Sequence, residues 1–311
     1  MAEKYAGLID RDSLLSHHHN HSHAHATSGN IKIAFFLNLG FTVLEIFGGL
    51  LTNSIAILSD ALHDFGDSLS LGMAWYLENF SKKEHTGKYS YGYRRFSLLG
   101  ALINSLVLIV GSLFILTEAI PRLINPEHTH APGMILFAVG GILVNGAAVL
   151  RLKGDRSMNA RVVAWHLMED VLGWVAVLVV GITLLFSDIR ILDPVLSILI
   201  TLYVLFNVVK NLKKTLELFL QASPAEINIA DIEKALLAIE DVKSTHHTHL
   251  WSLDGEHHVL STHIVIDKNA SKERLIEIKQ HCKALFNEHH FEHITIEVEF
   301  EAEDCSMNHA H

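Results

Sequence analysis

Six long apolar segments, separated by short polar stretches, dominate the first two thirds of the chain. They lie near residues 31–52, 54–80, 96–120, 132–151, 158–186 and 190–210. Each is long enough to cross a hydrocarbon layer of about 30 Å as a helix. The pattern therefore predicts an all-α membrane domain of six transmembrane helices over residues 30–215.

The pattern changes after about residue 222, where short amphipathic and alternating stretches replace the long apolar segments. These stretches are Ile229–Ile239 and Lys272–Asn287 with helical periodicity, and Val242–Leu253, His258–Ile266 and Ile294–Phe300 with strand-like alternation. The order αββαβ predicts a small α+β domain over residues 222–301, with two helices on one face of a three-stranded sheet. Residues 302–311 follow as a C-terminal tail.

A histidine-rich tract precedes the first apolar segment. Residues 1–29 are polar and lack apolar periodicity, so we expect them to be disordered. The histidines of this tract are His17, His18, His19, His21, His23 and His25. Neutral imidazoles bind Zn2+, Cu2+ and Ni2+, which indicates a tail that captures metal. An affinity tag is the alternative interpretation, but the irregular spacing favours a natural metal-binding tail.

Lysines and arginines are concentrated in every second loop of the predicted membrane domain. Residues 81–95, 151–161 and 210–214 hold twelve of them, whereas the alternate loops hold only Arg122 and Arg190. Loops rich in lysine and arginine stay in the cytoplasm. The distribution therefore predicts a multi-pass protein with both termini cytoplasmic.

Two of the apolar segments contain a histidine and an aspartate four residues apart. His63 and Asp67 lie in the second segment, and His166 and Asp170 lie in the fifth. Such a pair in a soluble helix is most often solvated, but ionisable residues are costly inside a membrane and usually line a substrate path. Two nitrogens and two oxygens from two helices predict a shared tetrahedral Zn2+ site.

The predicted topology brings both pairs to the middle of the membrane. His63 lies about nine residues into a span that begins outside, and His166 lies about eight residues into a span that begins inside. At about 1.5 Å per residue both pairs reach mid-depth and can face each other. A metal there is equally far from both aqueous phases, as alternating access requires.

The cytoplasmic part is also rich in histidine and holds both cysteines of the chain. Alternation in the first strand predicts that His247 and His249 share one face, where they would supply two ligands to a metal site. His263 in the second strand and Cys305 near the C terminus complete the candidate set. Ordinary surface histidines are the alternative. The chain has only two cysteines, Cys282 and Cys305, which argues against a disulfide scaffold and fits a reducing compartment for this domain.

Composition agrees with a membrane protein that carries a modest soluble part. Half of the residues are hydrophobic and 19% are charged. The formal net charge of −10 resides in residues 222–311, which hold 17 acidic and 7 basic residues. The chain has no basic patch large enough to neutralise phosphates, so we expect no nucleic-acid partner.

Six short motifs are distributed along the chain. They are Ser-Asp-Ala-Leu-His63-Asp-Phe-Gly-Asp67, Tyr91-Gly-Tyr-Arg-Arg95, His166-Leu-Met-Glu-Asp170, Asp193-Pro194, His249-Leu-Trp251 and Ser261-Thr-His263. Together they resemble the cation diffusion facilitator family of the zinc-efflux type, over roughly residues 30–300. The resemblance implies that His63, Asp67, His166 and Asp170 are the transport ligands. The histidine at position 63 favours zinc over manganese or iron.

The resemblance also implies a homodimer that sits in membrane lipid, which we expect to be a bacterial inner membrane. It would be a secondary transporter, not an enzyme, that exports Zn2+, and also Cd2+ or Co2+, in exchange for H+. Its cytoplasmic domain would be ferredoxin-like, bind structural zinc and help the protein to dimerise. One feature departs from the eukaryotic members, which often carry histidines between the fourth and fifth spans. Lys153–Ala160 contains none.

Two other functions would use the same membrane residues. A divalent-metal channel would use them as a selectivity filter, but four strong ligands hold an ion too tightly for fast passage. A membrane di-metal enzyme would need more carboxylates and a Glu-x-x-His spacing, which the apolar segments lack. The sequence therefore favours an exporter.

Overall fold

The computed structural model describes residues 28–81, 89–152, 158–187, 189–286 and 291–305. The histidine tract at residues 17–25 lies outside the described residues. The described chain divides into two compact units, one ending at Thr215 and the other beginning at Leu216.

Each predicted apolar segment forms a long helix. The helices are α1 (Ser28–Thr52), α2 (Ile55–Ser81), α3 (Phe96–Ile124), α4 (Ala131–Leu152), α5 (Met158–Phe186) and α6 (Leu192–Phe219). Five of them are long and apolar enough to cross a membrane, judged by length and composition. α2 is not among these five, and its apolar sequence is interrupted by Asp60, Asp64 and Asp67. The first unit is thus a helical membrane domain, and a sixth span formed by α2 remains a prediction.

Two of these helices continue past the ends predicted for them. α3 was expected to stop at residue 120 but includes Pro121 and ends at Ile124. Pro121 has no N–H to donate to the preceding turn, but its carbonyl accepts a bond from the Asn125 N–H at 3.0 Å, so the helix continues for a further turn. α6 extends beyond residue 210 to Phe219 through a run of exposed lysines, which favour helix on a solvated surface.

Packing within the membrane unit holds α5 in place beside α2. α4 packs along α5, and α1 and α3 both pack against α2. The Trp174 side chain of α5 is fully buried against Met134 and Ala138 of α4. Gly141 of α4 allows this approach, because a Cβ there would lie 2.3 Å from the Trp174 ring. The α4–α5 contact therefore fixes the rotation of the helix that carries His166.

The second unit contains the predicted αββαβ order. Its elements are α7 (Ile229–Leu237), β1 (Val242–Ser252), β2 (His258–Ile266), α8 (Lys272–Leu285) and β3 (Phe291–Phe300). The strand order is β1-β2-β3, with β1 antiparallel and β3 parallel to β2. Both helices contribute to one core with the sheet, through Leu236 of α7 and Ile278 of α8 against Leu260 and Ile264 of β2.

Neither cysteine forms a disulfide. Cys282 is buried in the core of the second unit, and Cys305 lies beyond β3. Burial raises the pKa of the Cys282 thiol to about 11, so this residue acts as a small apolar side chain at neutral pH. Of the two cysteines, Cys305 is therefore the one available as a metal ligand.

Candidate metal centres

The membrane unit brings the two predicted residue pairs together. His63 and Asp67 lie one turn apart on α2, and His166 and Asp170 lie one turn apart on α5. The two imidazole rings meet edge to face with centroids 5.8 Å apart. One nitrogen or oxygen from each of His63, Asp67 and His166 lies within 4.8 Å of the other two.

The fourth residue approaches from the His63 side. Asp170 Oδ1 lies 4.0 Å from His63 Nε2, and Asp67 Oδ2 lies 3.8 Å from the same nitrogen. His166 Nε2 lies 2.8 Å from Asp67 Oδ2. Four atoms each about 2.0 Å from a tetrahedral Zn2+ would lie about 3.3 Å apart. The three separations given above bracket that value, while the group whose ligand atoms all lie within 4.8 Å of one another contains His63, Asp67 and His166 but not Asp170.

The surroundings of this centre are acidic and largely buried. Asp60 and Asp64, on the same helix as His63, are both buried. Glu45 of α1 is 1% exposed, and its carboxyl group lies beside that of Asp64. Asn38 of α1 donates from Nδ2 to the Asp64 carbonyl at 3.0 Å, which ties α1 to the helix that bears two candidate ligands. The arrangement suits a cation better than an anion.

A second cluster lies on the sheet of the second unit. His246 of β1, His263 of β2, Glu299 of β3 and Cys305 each offer one ligand atom, and these atoms all lie within 4.8 Å of one another. His263 Nδ1 lies 2.8 Å from Glu299 Oε1 and 3.7 Å from Cys305 Sγ. Two imidazoles, a carboxylate and a thiol are ligands that structural zinc uses.

The electrostatics of this cluster favour a deprotonated carboxylate. Burial raises the pKa of Glu299, but hydrogen bonds from His263 and Cys305 outweigh that effect and hold the pKa below the usual glutamate range. His246 Nε2 lies 3.2 Å from Glu299 Oε2, so the same carboxylate lies beside two imidazoles. A carboxylate kept deprotonated beside two imidazoles and a thiol is a donor set that Zn2+ can bind. The residues present therefore fit zinc.

The cluster contains two of the four cytoplasmic residues predicted as ligands. His263 and Cys305 belong to it, whereas His247 and His249 do not. The alternation used to pair His247 with His249 fails here, because the β1–β2 register shifts between His246 and His249 and His247 has a φ of 49°. The ring of His247 still lies 5.4 Å from that of His263, between centroids. It is a neighbour of the cluster rather than a member.

Sequence reasoning missed His246 and Glu299 as members of this cluster. His246 faces His263 directly across the β1–β2 ladder, and His263 faces Glu297 across β2–β3, two residues from Glu299. The available signal was the alternation of Glu297 and Glu299 in the last strand, which indicates one shared face. That signal becomes useful only once β3 is known to pair with β2.

Comparison with known proteins covers nearly the whole chain. Residues 31–220 match the model of the cation efflux transmembrane domain. Residues 224–301 match the model of the cytoplasmic domain of cation efflux proteins.

Three bacterial relatives illustrate the similarity. The cadmium, cobalt and zinc/H(+)-K(+) antiporter of Bacillus subtilis is 31% identical over 276 residues, which is 88% of this chain and 89% of that protein. The zinc transporter ZitB of Pectobacterium atrosepticum is 32% identical over 90% of each chain. The metal cation efflux system protein CzcD of Cupriavidus metallidurans is 33% identical over 89% of this chain and 88% of that protein. The chain therefore belongs to the cation efflux family, whose members are membrane transporters of metal cations and not enzymes.

Proposed function

We propose that this protein exports Zn2+ from the cytoplasm in exchange for H+, and that His63, Asp67, His166 and Asp170 bind the ion during transport. The observation that carries the proposal is the approach of His63, Asp67 and His166, from two different helices, to within 4.8 Å of one another. Two helices that each supply part of a coordination sphere can open it by moving relative to each other.

The donor set supports zinc as the substrate. Two imidazoles and two carboxylates suit a tetrahedral ion of borderline softness, whereas Mg2+ and Ca2+ prefer six or more oxygens. The names of the relatives from Pectobacterium and Bacillus both include zinc, and the second adds cadmium and cobalt. Cd2+ and Co2+ are therefore the secondary substrates to test.

Competition between metal and proton accounts for the coupling. A metal ligand must be deprotonated, so protons and Zn2+ compete for the same imidazoles and carboxylates. An inward proton gradient would then drive zinc outward, because the outward-facing site meets the higher proton activity. The Bacillus relative is named as an antiporter of zinc with H+ and K+, which supports exchange as the mode of transport.

Alternating access and the membrane orientation follow from the topology. We propose that all six long helices cross the membrane, including α2, whose aspartates then lie in the protein interior rather than against lipid. The basic loops after the second, fourth and sixth helices support cytoplasmic termini. The bacterial relatives support an inner-membrane location.

The second unit is proposed to be a ferredoxin-like domain that binds structural zinc and helps the chain to form a homodimer. Support comes from the match to the cytoplasmic domain of the family and from the observed αββαβ order. The zinc ligands proposed from the geometry are His246, His263, Glu299 and Cys305. Bound zinc would join all three strands to the chain that follows β3.

A metal channel is the alternative function, and flux measurements distinguish it from an exchanger. Protein in liposomes should take up Zn2+ at a rate that rises with an imposed pH gradient, and each Zn2+ transported should be accompanied by proton movement in the opposite direction. Zinc flux that follows the membrane potential alone, with no proton counterflow, would contradict the proposal and indicate a channel. Empty liposomes and the Asp67→Ala variant provide the background rate.

A further inference from the structure

Asp193, in the first turn of α6, is 0% exposed and binds the beginning of α2 rather than a metal. Its carboxylate accepts hydrogen bonds from Ser54 Oγ at 2.5 Å, from the Ile55 N–H at 2.9 Å and from the Ala56 N–H at 3.4 Å. Ile55 is the first residue of α2. The contact therefore joins α6 to the helix that carries His63 and Asp67.

The first turn of a helix has N–H groups without intrahelical partners, and a neighbouring side chain usually satisfies them. Here Ser54 supplies the local cap, since its Oγ accepts from the Ile57 N–H at 3.2 Å. Asp193 satisfies two further N–H groups from a different helix. Because a carboxylate is also attracted to the positive end of a helix dipole, the contact is both directional and charge-assisted.

A second polar contact lies one turn further along α2. Ser59 Oγ lies 2.6 Å from Ser197 Oγ, and Thr201 donates to Ser59 at 3.3 Å. These three hydroxyl groups are buried, and Ser59 precedes His63 by one helical turn. α6 thus holds α2 at its end and again directly before the first candidate ligand. Two contacts separated along an axis fix rotation as well as depth.

We propose that Asp193 is a positioning residue for the transport site, which sets the depth and rotation of α2 so that His63 and Asp67 face α5. This inference rests on the proposed function. His63 lies about 12 Å along α2 from Ile55, so a tilt of about 5° at that end would move it by about 1 Å. Zinc ligation tolerates only about 0.2 Å. A modest loosening of the contact would therefore disturb the site.

The contact between Asp193 and α2 matters because of where α6 lies in the chain. α6 is the helix that leads directly into the cytoplasmic unit. Since Asp193 attaches α2 to α6, any displacement of α6 along its axis is passed to the helix that bears two of the four candidate ligands.

The test compares Asp193→Asn with the wild type as full-length proteins, using labelled Zn2+. The first quantity measured is the zinc affinity of the membrane site, which is identified as the binding that disappears in Asp67→Ala. The other two are the half-saturating zinc concentration for transport in liposomes and the melting temperature of the protein. Asp193→Asn should lower that affinity about 10- to 100-fold, the usual effect of losing a group that orients metal ligands. Asp231→Asn is the matched control: it neutralises an exposed carboxylate in the first turn of α7, which belongs to the second unit, and should leave the affinity unchanged.

A double variant separates positioning from simple helix capping. Ser54→Asp with Asp193→Ala puts a carboxylate at the cap position of α2 but leaves no hydrogen-bonding side chain at position 193, so the attachment to α6 is lost. It should recover thermal stability while the zinc affinity stays low. Recovery of both would overturn the proposal, because Asp193 would then be only a cap, and so would a wild-type affinity in Asp193→Asn.

If Asp193→Asn fails to fold, Ser59→Ala tests the same attachment. It should weaken zinc binding several-fold in a folded protein, and an unchanged affinity would overturn the inference. A wild-type protein that binds zinc but transports none would instead contradict the proposed function. The positioning role of Asp193 would then be tested by the zinc-binding measurement alone.

Discussion

At the scale of single residues, the apolar surroundings make a short histidine–aspartate motif informative. A histidine and an aspartate one turn apart carry little information in a soluble helix, where water satisfies both. In α2 and α5 the same pair lies among apolar residues, and the structure brings His63, Asp67 and His166 together across the two helices. Burial of polar groups without water costs several kcal/mol unless they are satisfied, so a bound cation is the natural partner.

Removing one proposed ligand tests the membrane site directly. Asp67→Ala and His166→Ala should each reduce zinc transport in vesicles to background, because three ligands in a cavity shaped for four bind zinc poorly. Glu169→Ala is the matched control, since Glu169 adjoins Asp170 but is exposed. It should transport zinc at a rate close to that of the wild type. Near-normal transport by Asp67→Ala, at equal protein levels, would refute the assignment.

Changing the chemistry of one ligand tests selectivity. His63→Asp replaces a borderline nitrogen with a hard oxygen, so the preference among metals should move from Zn2+ toward Cd2+ or Mn2+. Larger ions tolerate looser and more oxygen-rich coordination than zinc does. Competition between metals for uptake measures the ranking. If the order of preference does not change, His63 does not touch the metal.

At the scale of secondary-structure elements, one irregularity in β1 determines which histidines can share a metal. The shift in register between His246 and His249 breaks the alternation of side chains along the strand. As a result His246, rather than His247 or His249, joins His263, Glu299 and Cys305. A bulge of one residue is enough to exchange the candidate ligands.

The cluster on the sheet predicts that variants of two nearby histidines, His263 and His249, bind different numbers of zinc ions per chain. His263→Ala should remove one tightly bound zinc per chain, because it deletes the residue that contacts both Glu299 and Cys305. His249→Ala, the matched control in the same sheet, should keep that zinc. Equilibrium dialysis of the proteins, each also carrying Asp67→Ala to remove the membrane site, provides the count. Loss of the zinc from His249→Ala alone would restore the sequence-based assignment.

The lowered pKa of Glu299 predicts how metal-free stability depends on pH. A carboxyl group whose pKa is lower in the folded state stabilises the fold above the unfolded-state pKa of about 4.3, and that contribution is lost as the pH falls through the folded value. With excess chelator at pH 7, Glu299→Gln should therefore melt at a lower temperature than the wild type. The difference should shrink as the pH falls below about 4. A difference independent of pH would show that Glu299 acts through packing alone.

At the scale of the whole molecule, the metal sites proposed for the two units are built in different ways. The membrane site joins residues of two helices, whereas the cytoplasmic cluster joins three strands of one sheet with the segment that follows them. Relative movement of two helices can release an ion, but strands that are hydrogen-bonded to each other keep their spacing. The first arrangement suits transport and the second suits a structural role.

The N-terminal histidines are predicted to affect affinity rather than the maximum rate. The proposed membrane site does not include them, so we expect them to act by raising the local zinc concentration near the membrane. Deleting residues 1–29 should raise the half-saturating zinc concentration modestly and leave the saturating rate nearly intact. Transport assays over a range of zinc concentrations separate the two quantities. A reduced maximum rate with unchanged affinity would indicate a role in the conformational cycle.

The sequence by itself determined the features that depend on local pattern. The six long helices, the αββαβ order and the two His/Asp pairs follow from apolar periodicity and from spacing within single elements. These were predicted because the side-chain positions along one helix or strand depend on only a few neighbouring residues. Helix ends were less predictable, as the continuation of α3 past Pro121 illustrates.

Only the tertiary structure decided which distant residues meet. The register of β1, β2 and β3 selects His246 and Glu299 as partners of His263, and a shift of one residue would have turned them to the opposite face. The attachment of Asp193 to the start of α2 spans more than a hundred residues of sequence and depends on how α6 packs. Contacts of this kind are set by the packing of whole elements, which no local pattern of residues encodes.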